Sequence, residues 1–244
     1  MGAIKYALEV KNIDKHINKK IKNKDTVNLI TQYFPSNNKR RFKENLFCLH
    51  KNLKNPYIDN IYLLNEKIYT CKELGFSEMP EKIKQIDIGH RLKFKDVFEF
   101  VNNNDNKIKG YIIISNLDIY FNSSLKNIYY TSMKIKKVAY CQLRNEFYLK
   151  MRLKLNMNRS WSQDTWIYHT NNPIKYLNKF NYYFGQPGCD IKTNFLLGFQ
   201  GFKCCNHPSI INCIHVHYGM SRNYKHKHVK GPHLKVKPVY NAQK

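Results

Sequence analysis

Asp118 stands just past the most apolar stretch of the chain, in the run 111–121 (YIIISNLDIYF), where an apolar segment over 108–115 gives way to Asn116, Leu117 and then the carboxylate. In open α/β sheets, ligands gather beyond the carboxyl ends of the strands. A lone Asp at that rim is expected to be exposed, where its oxygens can hold a hard cation against the phosphates of a nucleotide. Asn116 is expected to point to the same side and to bond a ribose, a phosphate or a metal-bound water. The same two residues also suit an ordinary Asx turn after a strand.

Four further groups have chemistry to offer. Gly185, Pro187 and Gly188 in 184–190 (FGQPGCD) predict a tight loop that brings backbone close to a ligand and holds Asp190 at its edge. A carboxylate there can take the proton of an attacking hydroxyl, or it can cap a helix beginning near Lys192. His215 and His217 alternate on a predicted strand over 210–216, which puts both on one face, where an imidazole could complete the coordination of a Mn2+-like ion. Arg91 and Arg222 sit in turns from which a guanidinium can hold a diphosphate in bidentate fashion, although a solvated charge is the commoner fate of such residues. Gln32 and Tyr33, at the end of the first predicted strand, are positioned for a nucleobase.

The elements that must carry these residues follow from periodicity. Segment 26–34 reads as a buried strand ending at Pro35, and 40–53 as a helix with Phe42, Leu46, Leu49 and Leu53 near helical spacing, stopped by Asn55-Pro56. Strands are predicted over 58–64, 83–88 and 108–115, with a helix near 92–101 between the last two. Such alternation favours a parallel sheet with helices on both faces. Beyond Asp118 the pattern loosens into a short helix at 124–130, strands at 137–143, 165–168 and 210–216, and a helix at 192–197. Residues 225–244 carry Lys, His and Pro with little apolar pattern and read as a solvated or loosely docked arm.

On these residues the chain resembles the GT-A-fold nucleotide-diphospho-sugar transferases. SNLDIYF is similar to the strand that ends in that family's NxDIYF or DxD-type motif, with Asn116 in place of the first Asp. The likeness continues in order through 162–167 (SQDTWI), 184–190, 206–209 (NHPS), 214–218 (IHVHY) and 221–224 (SRNY), with Gly89-His90-Arg91 upstream, and spans 27–224. It implies an α/β, GT-A-like (Rossmann-like) single domain over 26–224, with a mixed, mainly parallel central sheet flanked by helices, a basic lead at 1–25 and a basic tail at 225–244. It further implies a metal-dependent, hexosyltransferase-like activity using Mn2+ or Mg2+, with Asp118 and a late His, His217 or His215, as metal ligands. Asp190 becomes the base and Asp164 its competitor or the positioner of donor hydroxyls; Gln32, Tyr33, Arg91, Asn116, Gly188 and Arg222 contact the substrate. The partners implied are a nucleoside-diphosphate-sugar donor and a glycan, protein or lipid acceptor.

Composition bounds the alternatives. The 244 residues carry 42 Lys and Arg against 17 Asp and Glu, a formal charge of +25, with a mean hydropathy of -0.62. Hydrophobic residues at 42% still suffice for a core. Lys travels throughout with Asn, Ile, Tyr and Phe, so codon bias accounts for much of the charge. Nucleic-acid binding is the competing class, yet the Lys residues are dispersed and no RRM, KH, helix-turn-helix or finger signature occurs, so no specific nucleic acid is expected; peripheral contact with an anionic membrane stays open. A catalytically degenerate transferase fold is the third reading, suggested by Asn116. Seven Cys without regular spacing point to a reducing, cytoplasmic setting rather than a disulfide framework. No apolar run reaches the ~18 residues of a membrane span.

Overall fold

The computed structural model describes residues 24–148, 151–155, 160, 162–216 and 227–240. The chain opens with strand β1 (Val27–Thr31), helix α1 (Lys39–Leu53), β2 (Asn60–Asn65), β3 (Ile83–Asp87), α2 (Phe94–Asn102) and β4 (Tyr111–Ser115). It continues with β5 (Ile119–Phe121), β6 (Val138–Tyr148), β7 (Met151–Leu155), β8 (Gln163–His169), α3 (Cys189–Phe199), β9 (Lys203–Cys205) and β10 (Cys213–Val216). All ten strands belong to one sheet, ordered β3-β2-β1-β4-β8-β6-β10-β5, with β7 and β9 also on β6. Five of its pairings are parallel and four antiparallel, so the α/β, mixed and mainly parallel sheet expected from the sequence is present.

The two halves of the sheet have different causes. β3, β2, β1 and β4 are joined through crossover segments and run parallel, in a Rossmann-like order. β1 and β4 are buried along their whole length, as strands covered on both faces must be. One core lies between the sheet and α2 and α3, around Phe94, Phe98 and Trp166; the other lies under α1, around Leu29, Leu49 and Ile113. In the second half, β8 enters antiparallel beside β4, and β10 runs parallel to β6 and antiparallel to β5.

Among the differences from the predicted elements, three have a visible cause. β1 ends at Thr31 because the Tyr33 N–H turns away to Asn65 Oδ1 (2.8 Å). β4 starts at Tyr111, since Gly110, at φ +97°, passes so close to Thr26 that a Cβ would lie 2.2 Å from its carbonyl oxygen. β5 was not legible as a strand at three residues; its outer edge is served by a side chain, with Asn52 of α1 donating to Ile119 O (2.8 Å) and accepting from Phe121 N (3.0 Å).

Of the two readings of the tail, a solvated or a loosely docked arm, the structure shows docking: residues 227–240 lie across α3 and the end of the sheet, with Val229 and Val236 buried. Val229 N donates to Pro187 O (2.8 Å), Leu234 N to Ile191 O (2.9 Å) and Val236 N to Ser160 O (3.0 Å). From Leu234 onward burial alternates, with Leu234, Val236, Pro238 and Tyr240 turned inward and Lys235, Lys237 and Val239 outward. Among the described residues, no helix is long and apolar enough to cross a membrane.

Candidate functional site

A cavity of 1290 Å³ opens beyond the carboxyl ends of β1 and β4. Gln32, Arg91, Asn116, Asp118, Asp164, Gly188, Asp190 and His215 all line it, so the structure gathers these eight sequence-predicted residues at one site. His217 and Arg222 lie outside the described residues. Tyr33 is placed elsewhere: it is fully buried under the sheet, packed edge-on to Tyr69, with its hydroxyl donating to the Glu73 carbonyl, so it is not at hand for a nucleobase.

Asp118 is brought to the site by the turn between β4 and β5, closed by Ile119 N donating to Asn116 O (3.2 Å). The β5–β10 register pairs His215 with Ile119, and the β10–β6 register pairs His215 with Glu146. His215 therefore stands between two carboxylates, its Nε2 3.3 Å from Asp118 Oδ2 and its Nδ1 2.7 Å from Glu146 Oε2. Beyond Glu146, Arg144 Nε donates to Glu146 Oε1 (2.7 Å) and Arg144 NH1 to Asp164 Oδ2 (2.7 Å). At the other end, Arg41 NH2 lies 3.3 Å from Asp118 Oδ2. The six groups form a row of alternating charge, Arg41, Asp118, His215, Glu146, Arg144 and Asp164.

Alternation is what makes the burial tolerable, because an isolated ion there would lose its hydration without compensation. Burial alone would push the Asp118 carboxyl up, but the charge and hydrogen bond of His215, then Arg41 and Arg144, hold it well below the usual carboxylate range. Glu146 is likewise opposed by burial yet lowered to about 2 by His215 and Arg144. Burial pulls His215 down, and Asp118 and Glu146 raise it to about 9, so in this state it is an imidazolium donating to both neighbours. The expectation that Asp118 is exposed is corrected: it is buried, because Arg41 and His215 cover it.

The donor set suits a divalent cation. Asp118 Oδ1 is buried and meets no hydrogen-bond partner among the described residues. His215 Nδ1 is anchored on a carboxylate, the usual support for an imidazole whose other nitrogen ligates a metal. Asp118 and His215 would hold a Mn2+ or Mg2+ ion, with phosphate and water oxygens completing a shell that such ions often keep largely free of protein. Among the described residues no group of three or more His, Cys, Asp or Glu forms a full metal cage.

Asn116 turns to the opposite wall, its Nδ2 donating to Asp164 Oδ1 (2.8 Å), so it ties the end of β4 to β8 rather than reaching toward Asp118. Gln32 clamps the turn before α2, donating to His90 O (3.1 Å) and accepting from Leu92 N (3.0 Å), which fixes Arg91 at the cavity. Arg91 NH2 donates to Phe184 O (2.5 Å), and its guanidinium faces the Tyr183 ring. Asp190 lies in the first turn of α3, which begins at Cys189 rather than near Lys192. Burial raises its pKa to about 6, with Asp164 adding to the rise and backbone N–H groups and His228 opposing it. Gly188 caps α3 at φ +80°, and a Cβ there would lie 2.1 Å from His228 Cε1, so the tail seats His228 directly over the loop.

Arg41, Arg144, Glu146, His228 and Lys235 escaped the sequence reading. For Glu146 a signal existed: from residue 106 to the end only Asp118, Glu146, Asp164 and Asp190 are acidic, against 22 Lys and Arg. Arg144 is two residues from Glu146 on a strand and so shares its face. Arg41 sits in a first helical turn that holds no acidic residue, where positive charge opposes the helix dipole. No sequence pattern places His228 or Lys235.

No family model and no curated protein matches the sequence. Solved structures with a similar trace include 4-diphosphocytidyl-2C-methyl-D-erythritol synthase from Anaerococcus prevotii, at 12% identity and TM-score 0.45, covering 74% of this chain and 86% of that one. Another is a mannosyltransferase from Pyrobaculum calidifontis in complex with GDP-Man and Mn2+, at 10% identity and TM-score 0.49, covering 82% of this chain and 59% of that one. This chain thus spans little more than half the length of the mannosyltransferase. At such scores neither likeness carries chemistry across, and the functional reading rests on the cavity itself.

Proposed function

We propose that this protein is a glycosyltransferase of the GT-A kind, moving a hexosyl group from a nucleoside-diphosphate sugar to an acceptor hydroxyl on a glycan, protein or lipid. The observation that carries the reading is the meeting of Asp118 and His215, 97 positions apart in sequence, at the mouth of a cavity that also contains Asp164, Asp190 and Arg91. Its volume exceeds the roughly 300–1,000 Å³ of most small-ligand pockets, which leaves room for a donor and an acceptor group together. The sequence resemblance to nucleotide-sugar transferases points the same way.

In this reading the diphosphate lies near Asp118. Asp118 and, once its Nε2 proton is given up, His215 would hold a divalent cation, which would supply charge neutralisation to the phosphates. Arg41, beside Asp118, and Arg91, beside Phe184, add positive charge to the cavity, where it favours the departing diphosphate over the bound donor. Arg222 and His217 are assigned to the same end by the resemblance. Glu146 orients His215, and Arg144 and Asn116 each hold one oxygen of Asp164, fixing at the cavity the carboxylate that positions the sugar hydroxyls. Asp190 takes the acceptor proton: a carboxyl titrating near 6 is mostly ionised at neutral pH and more basic than an exposed one. The Gly188 loop keeps backbone close to the acceptor, and Gln32 positions Arg91 rather than a base.

The test is a thermal-shift screen of nucleoside-diphosphate sugars with and without Mn2+, since a ligand selective for the folded state raises its melting temperature. One donor is expected to give a cation-linked shift that Asp118→Asn abolishes. Donor hydrolysis or transfer is then expected from the wild type and not from Asp190→Asn. No shift with any donor would overturn the reading, and a shift without turnover would leave a binding protein built on a transferase fold.

A further inference from the structure

The end of the sheet opposite the cavity has a different surface. Tyr130, Ile135, Tyr176 and Phe199 are 85%, 80%, 60% and 61% exposed. Single exposed apolar side chains are ordinary, but these belong to one continuous face. Asn171 Nδ2 donates to Lys134 O (3.2 Å), and Asn172 Nδ2 to Met133 O (3.1 Å) and Lys136 O (3.2 Å), which binds the turn carrying Ile135 to the loop leading to Tyr176. Lys175 N donates to Gln200 Oε1 (2.6 Å), Lys137 Nζ reaches Gln200 O, and the Tyr176 and Phe199 rings lie 6.2 Å apart. Tyr130 ends the 3-10 helix 123–130, which leads through an extended Thr131 into the turn 132–134 that carries Ile135.

The segments that carry these side chains are also strongly basic. Lys126, Lys134, Lys136, Lys175, Lys179 and Lys203 are exposed around the apolar residues. The segments that build this face, 126–137, 170–181 and 199–203, contain no acidic residue; carboxylates reach its edge from outside, Asp25 lying 2.7 Å from Lys134 Nζ and Asp59 acting with it on Tyr129. Its place in the fold follows from the β4–β8 register: Ser115 and Thr165 pair at the cavity end, Tyr111 and His169 at this one.

We infer that this face docks the protein onto an anionic phospholipid surface, with Tyr130, Ile135, Tyr176 and Phe199 entering the headgroup and acyl boundary and the surrounding lysines meeting the lipid phosphates. Protruding aromatic and aliphatic side chains ringed by Lys are the pattern of interfacial binders, and each lysine near such a surface strengthens binding about fivefold. A nucleic acid is less well matched, because Ile135 offers no ring for a base to stack on. The cavity then faces away from the bilayer, so the acceptor group is one that projects into water.

Vesicle co-sedimentation of the full chain tests this, comparing phosphatidylcholine vesicles with vesicles containing about 30% phosphatidylserine. Binding is expected only to the anionic vesicles and is expected to fall as salt rises. Tyr130→Ser with Ile135→Ser should weaken it about tenfold or more. Lys136→Glu with Lys175→Glu should weaken it far more than Lys72→Glu with Lys84→Glu at the β3 edge, each variant's unfolding midpoint serving as the control for folding. Absence of binding to anionic vesicles, equal loss from both lysine pairs, or wild-type binding by the serine variant would each overturn the inference. So would binding of a labelled oligonucleotide, abolished by the same variants, with no vesicle binding.

Discussion

Between residues 24 and 105 acidic side chains mostly shape loops, whereas from residue 106 onward all four carboxylates converge on one cavity and its back wall. In the first region Glu73 accepts from Thr70 N (2.8 Å), Asp87 from Gly89 N (2.9 Å) and Asp96 from Lys93 N (2.8 Å), all near the surface. In the second, Asp118 and Glu146 are buried and, with Asp164, are matched to Arg or His in an alternating row, while Asp190 stands beside them at the helix start. Surface carboxylates are individually dispensable, because water screens them and backbone geometry survives their loss. Buried ones are coupled, so removing one member strands its neighbours.

That contrast sets the expected size of each effect. Arg144→Met strands Glu146 and Asp164 together and should destabilise the fold by about 4 kcal/mol, measured by urea unfolding; a loss near that of a surface substitution would mean the row is not coupled. Asp190→Asn should lower kcat on the order of 10³-fold with little change in fold. In the wild type, kcat/KM should rise with pH and level off above about 6, where Asp190 loses its proton, and the variant should lack that limb. Asp190 also has a stability signature. The folded protein holds its proton more tightly than the unfolded chain, whose value is near 3.8, so the contribution is complete below that value and lost as pH rises through about 6. Asp190→Asn should therefore melt higher than wild type at neutral pH, a result opposite to that of Arg144→Met.

Glu146→Gln sharpens the comparison further. It keeps the shape but weakens the hold on His215, and should reduce Mn2+ affinity about 10- to 100-fold, read by calorimetry in the presence of donor. The smallest effect is expected in the first region: Asp96→Ala removes a carboxylate at the start of α2 and should cost about 1 kcal/mol, with activity unchanged. Loss of activity from Asp96→Ala comparable to that from Glu146→Gln would erase the distinction between the two regions.

Much of the scaffold was legible because its signals are local. The continuous apolar runs of β1 and β4 and the helical spacing of Phe42, Leu46, Leu49 and Leu53 depend on residues within a few positions of one another. Asp118, Asp164 and Asp190 were legible as candidates for the cavity because each follows or opens an element at that end of the sheet. Tyr33 was read from the same local signal, but past the end of β1 its N–H turns to Asn65 and its ring is buried against Tyr69, while Gln32 lines the cavity.

By itself the sequence determined where strands and helices lie in the first half, which carboxylates are scarce enough to matter, and that the ligand end follows β4. Only the tertiary structure decided who partners whom: that His215 divides itself between Asp118 and Glu146, that Arg41 comes from a helix 77 positions earlier in the chain, and that the tail seats His228 over Gly188. Propensity and periodicity are summed over neighbours along the chain, whereas the pairing of buried charges is fixed by strand register and by the need to neutralise each ion where water is excluded.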